Sequence, residues 1–219
     1  MNEILDEVEK DQSFSDREIF MGIWTNPRAI FKYIHAIKHD KYITVLLVLA
    51  GISRTFDRAS TKNMGDEFPL IAIIFFAIVA GSLFGWLTYY IYAAILSWVG
   101  KWLKGDQDTK SILRIISYSM IPALLGLGFF LLQILFFGID LFKSDGIINI
   151  EEDTVTSILF YGLVALQVIF SLWTIVLVVI GLSEIQKFSI GKSILNLILP
   201  IFVILIPIFL FIILSDVIS

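Results

Sequence analysis

The chain has 219 residues, 58% of them hydrophobic and 16% charged, with a net charge of −4 and a mean hydropathy of +0.88. Average soluble domains are about 45–50% apolar and about 25% charged, so a soluble fold of this size would leave large apolar patches on its surface. That composition excludes a disordered chain, and the absence of cysteine excludes a disulfide-built secreted module. An integral membrane protein remains.

In chain order, residues 1–16 form an acidic N-terminal tail, with Glu3, Asp6, Glu7, Glu9, Asp11 and Asp16 against Lys10, and a short helix is predicted from Glu3 to Lys10. Ser15 followed by Glu18 is a capping-box pattern. Asn26-Pro27 marks a second helix start, with Asn as cap and Pro at the first helical position. Beyond it Ile30, Tyr33, Ile34 and Ile37 share one helical face, while Arg28, Lys32, His35, Lys38 and His39 favour the other. Residues 17–40 therefore read as a basic amphipathic segment lying in the cytoplasmic membrane interface, with Trp24, Pro27 and Lys32 as interfacial residues. A lead-in helix packed on the span ends is the alternative. The first 40 residues carry charges throughout, so no cleavable signal peptide is expected and the first span would serve as the targeting signal.

Residues 41–215 contain five charge-free runs: Tyr42–Ser53, Phe68–Gly100, Ile115–Ile139, Thr154–Ser183 and Ser193–Ser215. A span needs about 20 apolar residues, and the last four runs are long enough. The first qualifies only if Lys41 and Arg54 snorkel. The predicted spans are 41–56, 69–99, 112–139, 154–182 and 193–214, with the second tilted or projecting past the headgroups. With five spans, twelve Lys and Arg residues fall on the inside and four (Arg54, Arg58, Lys62 and Lys143) on the outside. The positive-inside rule thus places the N-terminus in the cytoplasm and the C-terminus outside. The expected fold is all-α: five transmembrane helices in a compact bundle, preceded by a cytoplasmic amphipathic helix.

Motifs for chemistry fail on inspection. His35 and His39 stand at i, i+4, but zinc sites need three or four ligands. Gly191-Lys192-Ser193 matches only the end of a P-loop, with Gln186 where the first Gly is required. Asp106 and Asp108 are expected to solvate a turn and cap the third span. The four long runs hold no acid, base or histidine, so no catalytic residue, metal or cofactor is expected.

The spans instead hold small and neutral-polar residues. Ala77, Gly81 and Gly85 form a stripe suited to close helix packing. Ser117, Tyr118, Ser119, Pro122 and Gln133 in the third span, with Gln167 and Ser171 in the fourth, form a candidate polar and kink cluster. Pro122 predicts a kink, with Ser117 and Ser119 re-satisfying the freed carbonyls. Trp98 and Trp102 form an interfacial belt. Glu184, just past the fourth span, is expected to pair with Lys187 or with the basic second loop.

Three stretches carry a family resemblance: IWTNPRAIFKYI, KWLKGDQDTKSILRIISYSMIPALLG with its Tyr118, Ser119 and Pro122, and LWTIVLVVIGLSEIQKFSIGKSILNLILP. Over roughly residues 20–215 the chain resembles the Yip family of Ypt/Rab-interacting membrane proteins, in the form of a prokaryotic-type member. The resemblance implies a compact five-helix domain. Eukaryotic members act in vesicle trafficking with Rab-type GTPases; this chain lacks their acidic-Gly-Pro-Leu motif, and Rab-type GTPase binding is not carried over. The expected function is a membrane adaptor or organiser in a bacterial cytoplasmic (inner) membrane. Its expected partners are the lipid bilayer and other membrane proteins or a second copy, with no nucleic acid. The alternative is a transporter or channel-like protein for a small neutral solute or lipid; an enzyme ranks last.

Overall fold

A computed structural model describes residues 14–151 and 153–218. The predicted helix Glu3–Lys10 lies outside them. Every regular element among the described residues is helical: α1 (Asp16–Thr25), α2 (Pro27–Ala36), α3 (Ile43–Thr61), α4 (Leu70–Trp102), α5 (Thr109–Ser119), α6 (Ile121–Phe137), α7 (Gly146–Glu151), α8 (Thr154–Gln186) and α9 (Ile190–Ile218), with two short 3₁₀ turns. Among the described residues three segments are long and apolar enough to cross a membrane: Leu70–Trp102, Ile121–Phe142 and Thr154–Gln186. At about 1.5 Å per residue, α4 and α8 are each about 50 Å long, well beyond a hydrocarbon core of about 30 Å. The chain is an integral membrane protein built on these helices.

The capping box at Ser15 is formed, with the Ser15 hydroxyl accepting from the Glu18 N–H and the Glu18 carboxylate accepting from the Ser15 N–H. At the next start Pro27 occupies the first turn of α2, but the Asn26 side chain makes no cap hydrogen bond. Asp108 caps α5 by accepting from the Ser111 N–H at 2.9 Å, and Asp153 caps α8 through Thr156.

The apolar face of α1–α2 packs largely on the other helices. Ile19, Ile23, Ile30, Phe31 and Ile34 are all buried in one core with Leu46, Leu96, Ile115, Tyr118, Leu177 and Leu182. Protein covers these five side chains, as in the alternative of a lead-in helix packed on the span ends, while Met21 and Ile37 stay exposed. A second core at the far end joins Phe56, Ile73, Ala77, Phe130 and Phe142.

The most extensive helix pairing is between α3 and α4. It is set by glycines. A Cβ on Gly85 would stand 2.3 Å from the Gly51 Cα, one on Gly51 would stand 2.4 Å from the Gly81 carbonyl oxygen, and one on Gly81 would stand 2.6 Å from the Ile52 Cα. Backbone meets backbone at all three positions, so only hydrogen fits. Ala77, one turn earlier on α4, is fully buried against the second core. Gly51 was not singled out in the sequence because its run carried no repeat. The helix α3 also continues past the expected end of the first span, to Thr61, carrying Arg54, Asp57 and Arg58 within it.

A Gly85→Ala variant is expected to lose roughly 1–3 kcal/mol through overpacking. Gly128→Ala, where an added Cβ meets nothing within 4 Å, should gain up to about 1 kcal/mol from helix propensity. Thermal unfolding of both variants in detergent checks the pair.

Candidate functional site

The third apolar run is two helices. Between α5 and α6 the chain breaks at Met120, two residues before Pro122. Proline has no N–H to donate back to the preceding turn, and its ring crowds the carbonyl four residues earlier. One consequence is visible at Ala123, whose N–H donates to the Thr174 hydroxyl of α8 at 3.1 Å. Thr174 in turn donates to the Phe170 carbonyl at 3.0 Å. The serines expected to mend the kink do other things: Ser117 donates to the Leu113 carbonyl at 2.7 Å, and the buried Ser119 hydroxyl has no partner among the described residues.

The two glutamines meet. Gln167 donates through Nε2 to Gln133 Oε1 at 2.9 Å, and Gln133 donates to the Phe160 carbonyl. Gln133 is buried at 2% exposure, so leaving its amide unpaired there would cost the full desolvation penalty.

Beside this pair lies a cavity of about 360 Å³ between α3, α4, α6 and α8. Its polar wall is Ser53, Arg54, Asp57, Tyr89, Gln167 and Ser171, and Met120 at the helix break also faces it. Of the predicted cluster, Gln167 and Ser171 line this space, and Gln133 joins through Gln167. Ser117, Tyr118 and Ser119 turn instead into the first core, where Tyr118 is fully buried and its hydroxyl meets His39 Nδ1 at 2.5 Å.

The segment α1–α2 forms a cap tied to the bundle by charge. Arg114, only 2% exposed, donates through Nε and Nη2 to Asp40 Oδ1, each at 2.7 Å. Lys110 adds a contact to Asp40 Oδ2 at 2.9 Å. Burial pushes the Asp40 carboxyl upward, but the hydrogen bonds from Lys110 and Arg114 outweigh it and hold it below the usual range. Asp16 accepts from Lys41 and from the Tyr42 hydroxyl, which hold its carboxyl down and push the Lys41 ammonium up. His35 is lowered, by burial first and by Arg114 second.

The interfacial candidates scatter over this region. Trp24 packs edge-on against Phe170 with ring centroids 6.0 Å apart. Pro27 starts α2, and Lys32 is exposed on it. Trp98 and Trp102 meet at 4.7 Å, both about half exposed at the end of α4. Glu184 pairs with Arg28 of the cap at 3.8 Å, not with Lys187 or the second loop.

Sequence reasoning missed Arg114 as a buried residue, because it read as one of four loop cations. It missed Arg54 and Asp57 as cavity residues, because they follow the charge-free run. Asn196, fully buried, and Gln186, set against Gly100 and Gly105, also lack partners among the described residues. Asn196 was legible as the one amide in the last run. Among the described residues no group of three or more acid, His or Cys side chains is gathered for a metal ion.

The chain matches the Yip1 domain over residues 21–212. No curated protein and no solved structure matches it.

Thr174→Val keeps the shape but leaves the Ala123 N–H unpaired, and should cost about 1–3 kcal/mol in thermal unfolding. Asp40→Asn strands the Arg114 charge and should cost roughly 3 kcal/mol, the low end for a broken buried pair because Asp40 is partly exposed. Replacing both, as Asp40→Leu with Arg114→Met, should recover most of that loss. A carboxylate whose pKa is lowered on folding contributes its stability above the unfolded pKa and loses it as pH falls through the folded one. The wild-type tie is therefore intact at pH 7 and is lost only below about pH 4, where the melting temperature of the wild type should fall to that of Asp40→Asn and below that of the double variant.

Proposed function

The chain belongs to the Yip1 domain family, and we propose that it acts as a membrane adaptor or organiser, working through helix–helix contacts and a fixed cytoplasmic face. In this reading α3 and α9 cross the bilayer with α4, α6 and α8, making five spans with the N-terminus in the cytoplasm and the C-terminus outside. The twelve-to-four distribution of Lys and Arg supports that orientation. In this reading the membrane is a bacterial cytoplasmic membrane, and binding of a Rab-type GTPase is not carried over from the family.

The observation that carries the reading is the rigid docking of the cap. Asp40–Arg114 and Asp16–Lys41 fasten α1–α2 to the span ends, and the outer side of the cap holds an apolar groove of about 480 Å³ lined by Phe14, Met21, Trp24 and Ala29. Met21 is 62% exposed there. An immobile apolar groove suits a protein partner, because little ordering entropy is left to lose on binding. Gentle native extraction should therefore return the chain with a defined companion, another membrane protein or a second copy. Met21→Asp should cut its recovery about tenfold, the equivalent of about 1.4 kcal/mol. Recovery with lipid alone would contradict the reading.

One observation favours a second reading, passage of a small solute: the polar cavity lined by Arg54, Asp57, Tyr89, Gln167 and Ser171. In that case a cysteine at Ser171 reacts with a membrane-impermeant thiol reagent while one at Ser119 stays silent. Silence at both positions leaves the organiser alone.

A further inference from the structure

On the other side of the α3–α4 contact runs a groove of about 900 Å³. Its floor is the glycine contact itself, through Gly51 and Gly85, and its apolar wall includes Phe76 and Phe84 of α4, which are 50% and 64% exposed. Its polar edge is a ladder of cations spaced four residues apart, Arg54 and Arg58 on α3 and Lys62 at its C-cap. That spacing stacks them on one helical face and spreads them over about 12 Å.

Like charges at i, i+4 repel, and none of the three forms an ion pair among the described residues. Glu67 is the one acid lining the groove. With Asp57 close to Arg54, the groove still carries a net positive charge at Arg58 and Lys62 beside an apolar face of α4, a helix long and apolar enough to lie in the bilayer. A soluble anion matches the cations but not Phe76 and Phe84, and a neutral lipid matches the apolar wall but not the cations. An amphiphile with a negative headgroup matches both.

We propose that this groove is a binding site for an anionic phospholipid of the bilayer, its phosphate held by Arg58 and Lys62 with Arg54 beneath, and its acyl chains lying along Phe76 and Phe84. The inference needs only that α4 lies in the membrane and does not depend on the organiser reading.

Native mass spectrometry of the full chain in detergent tests it, with phosphatidylglycerol and phosphatidylcholine of identical acyl chains as probes. The wild type should retain phosphatidylglycerol preferentially. Each cation near a lipid headgroup is worth about 1 kcal/mol, a factor of about five. The double variant Arg58→Gln, Lys62→Gln should then lower phosphatidylglycerol retention about 25-fold. Lys187→Gln, on the turn before α9, with Lys192→Gln, in its first turn, should leave it unchanged. Equal retention of the two lipids by wild type, an undiminished preference in the groove variant, or displacement of the lipid by excess soluble glycerol phosphate would overturn the proposal. A photo-crosslinkable phosphatidylglycerol on the wild-type chain gives a readout free of any folding defect: labelling within 54–62 or 76–84 supports the site, and labelling confined to other segments overturns it.

Discussion

The contact of Gly51 with Gly81 and Gly85 governs where the polar residues of α3 sit. Two helices that meet backbone to backbone leave no room for side chains on the contact line, so everything else on α3 is turned to one side or the other. Arg54 and Asp57 face the cavity shared with Gln167 and Ser171, and Arg54, Arg58 and Lys62 border the outer groove. A charged helix is poorly suited to lipid by itself. Held against α4, its charges gain a polar cavity on one flank and a groove with an apolar wall on the other, and hydrocarbon need not cover them.

The end of the bundle that carries the cap is organised by a different force. The cap contributes five buried apolar side chains to the first core, but its position is fixed by Asp40 and Arg114. Apolar stripes are permissive about register, and a helix with such a stripe could lie in headgroups as readily as on protein. A buried guanidinium with one carboxylate partner is not permissive, because misplacing it leaves a charge without water or partner. The cap, the break at Met120 and the Ala123–Thr174 hydrogen bond together hold α5 and α6 as separate pieces, α5 packed on α4, α8 and the cap and α6 chiefly on α8.

Much of this was legible in the sequence where a single element decides the outcome. The charge-free runs mark α4, α6 and α8, the Ser15–Glu18 spacing marks the start of α1, and Pro122 marks the break. What was not legible depends on partners distant in the chain. The stripe Ala77, Gly81, Gly85 has a period of four and can be read alone, whereas Gly51 gains meaning only when α3 lies across from it. The amphipathic pattern of residues 17–40 shows that one face is covered but not by what. Gln133 and Gln167, separated by 34 residues, could be paired by the expectation that buried amides seek each other. Arg114 and Asp40, 74 residues apart, look like ordinary loop charges until the fold removes water from one of them.

The central claim is that α3, with its charged C-terminal half, crosses the bilayer on the back of α4. The absence of cysteine from the chain makes a direct measurement available. Single cysteines at Lys38 and Thr61, which flank α3, would be labelled in sealed vesicles with an impermeant thiol reagent from each side. The account predicts that Lys38→Cys reacts only from the cytoplasmic side and Thr61→Cys only from the opposite side. Labelling of both positions from one side would mean that α3 turns back within the interface, and the five-span arrangement would have to be abandoned.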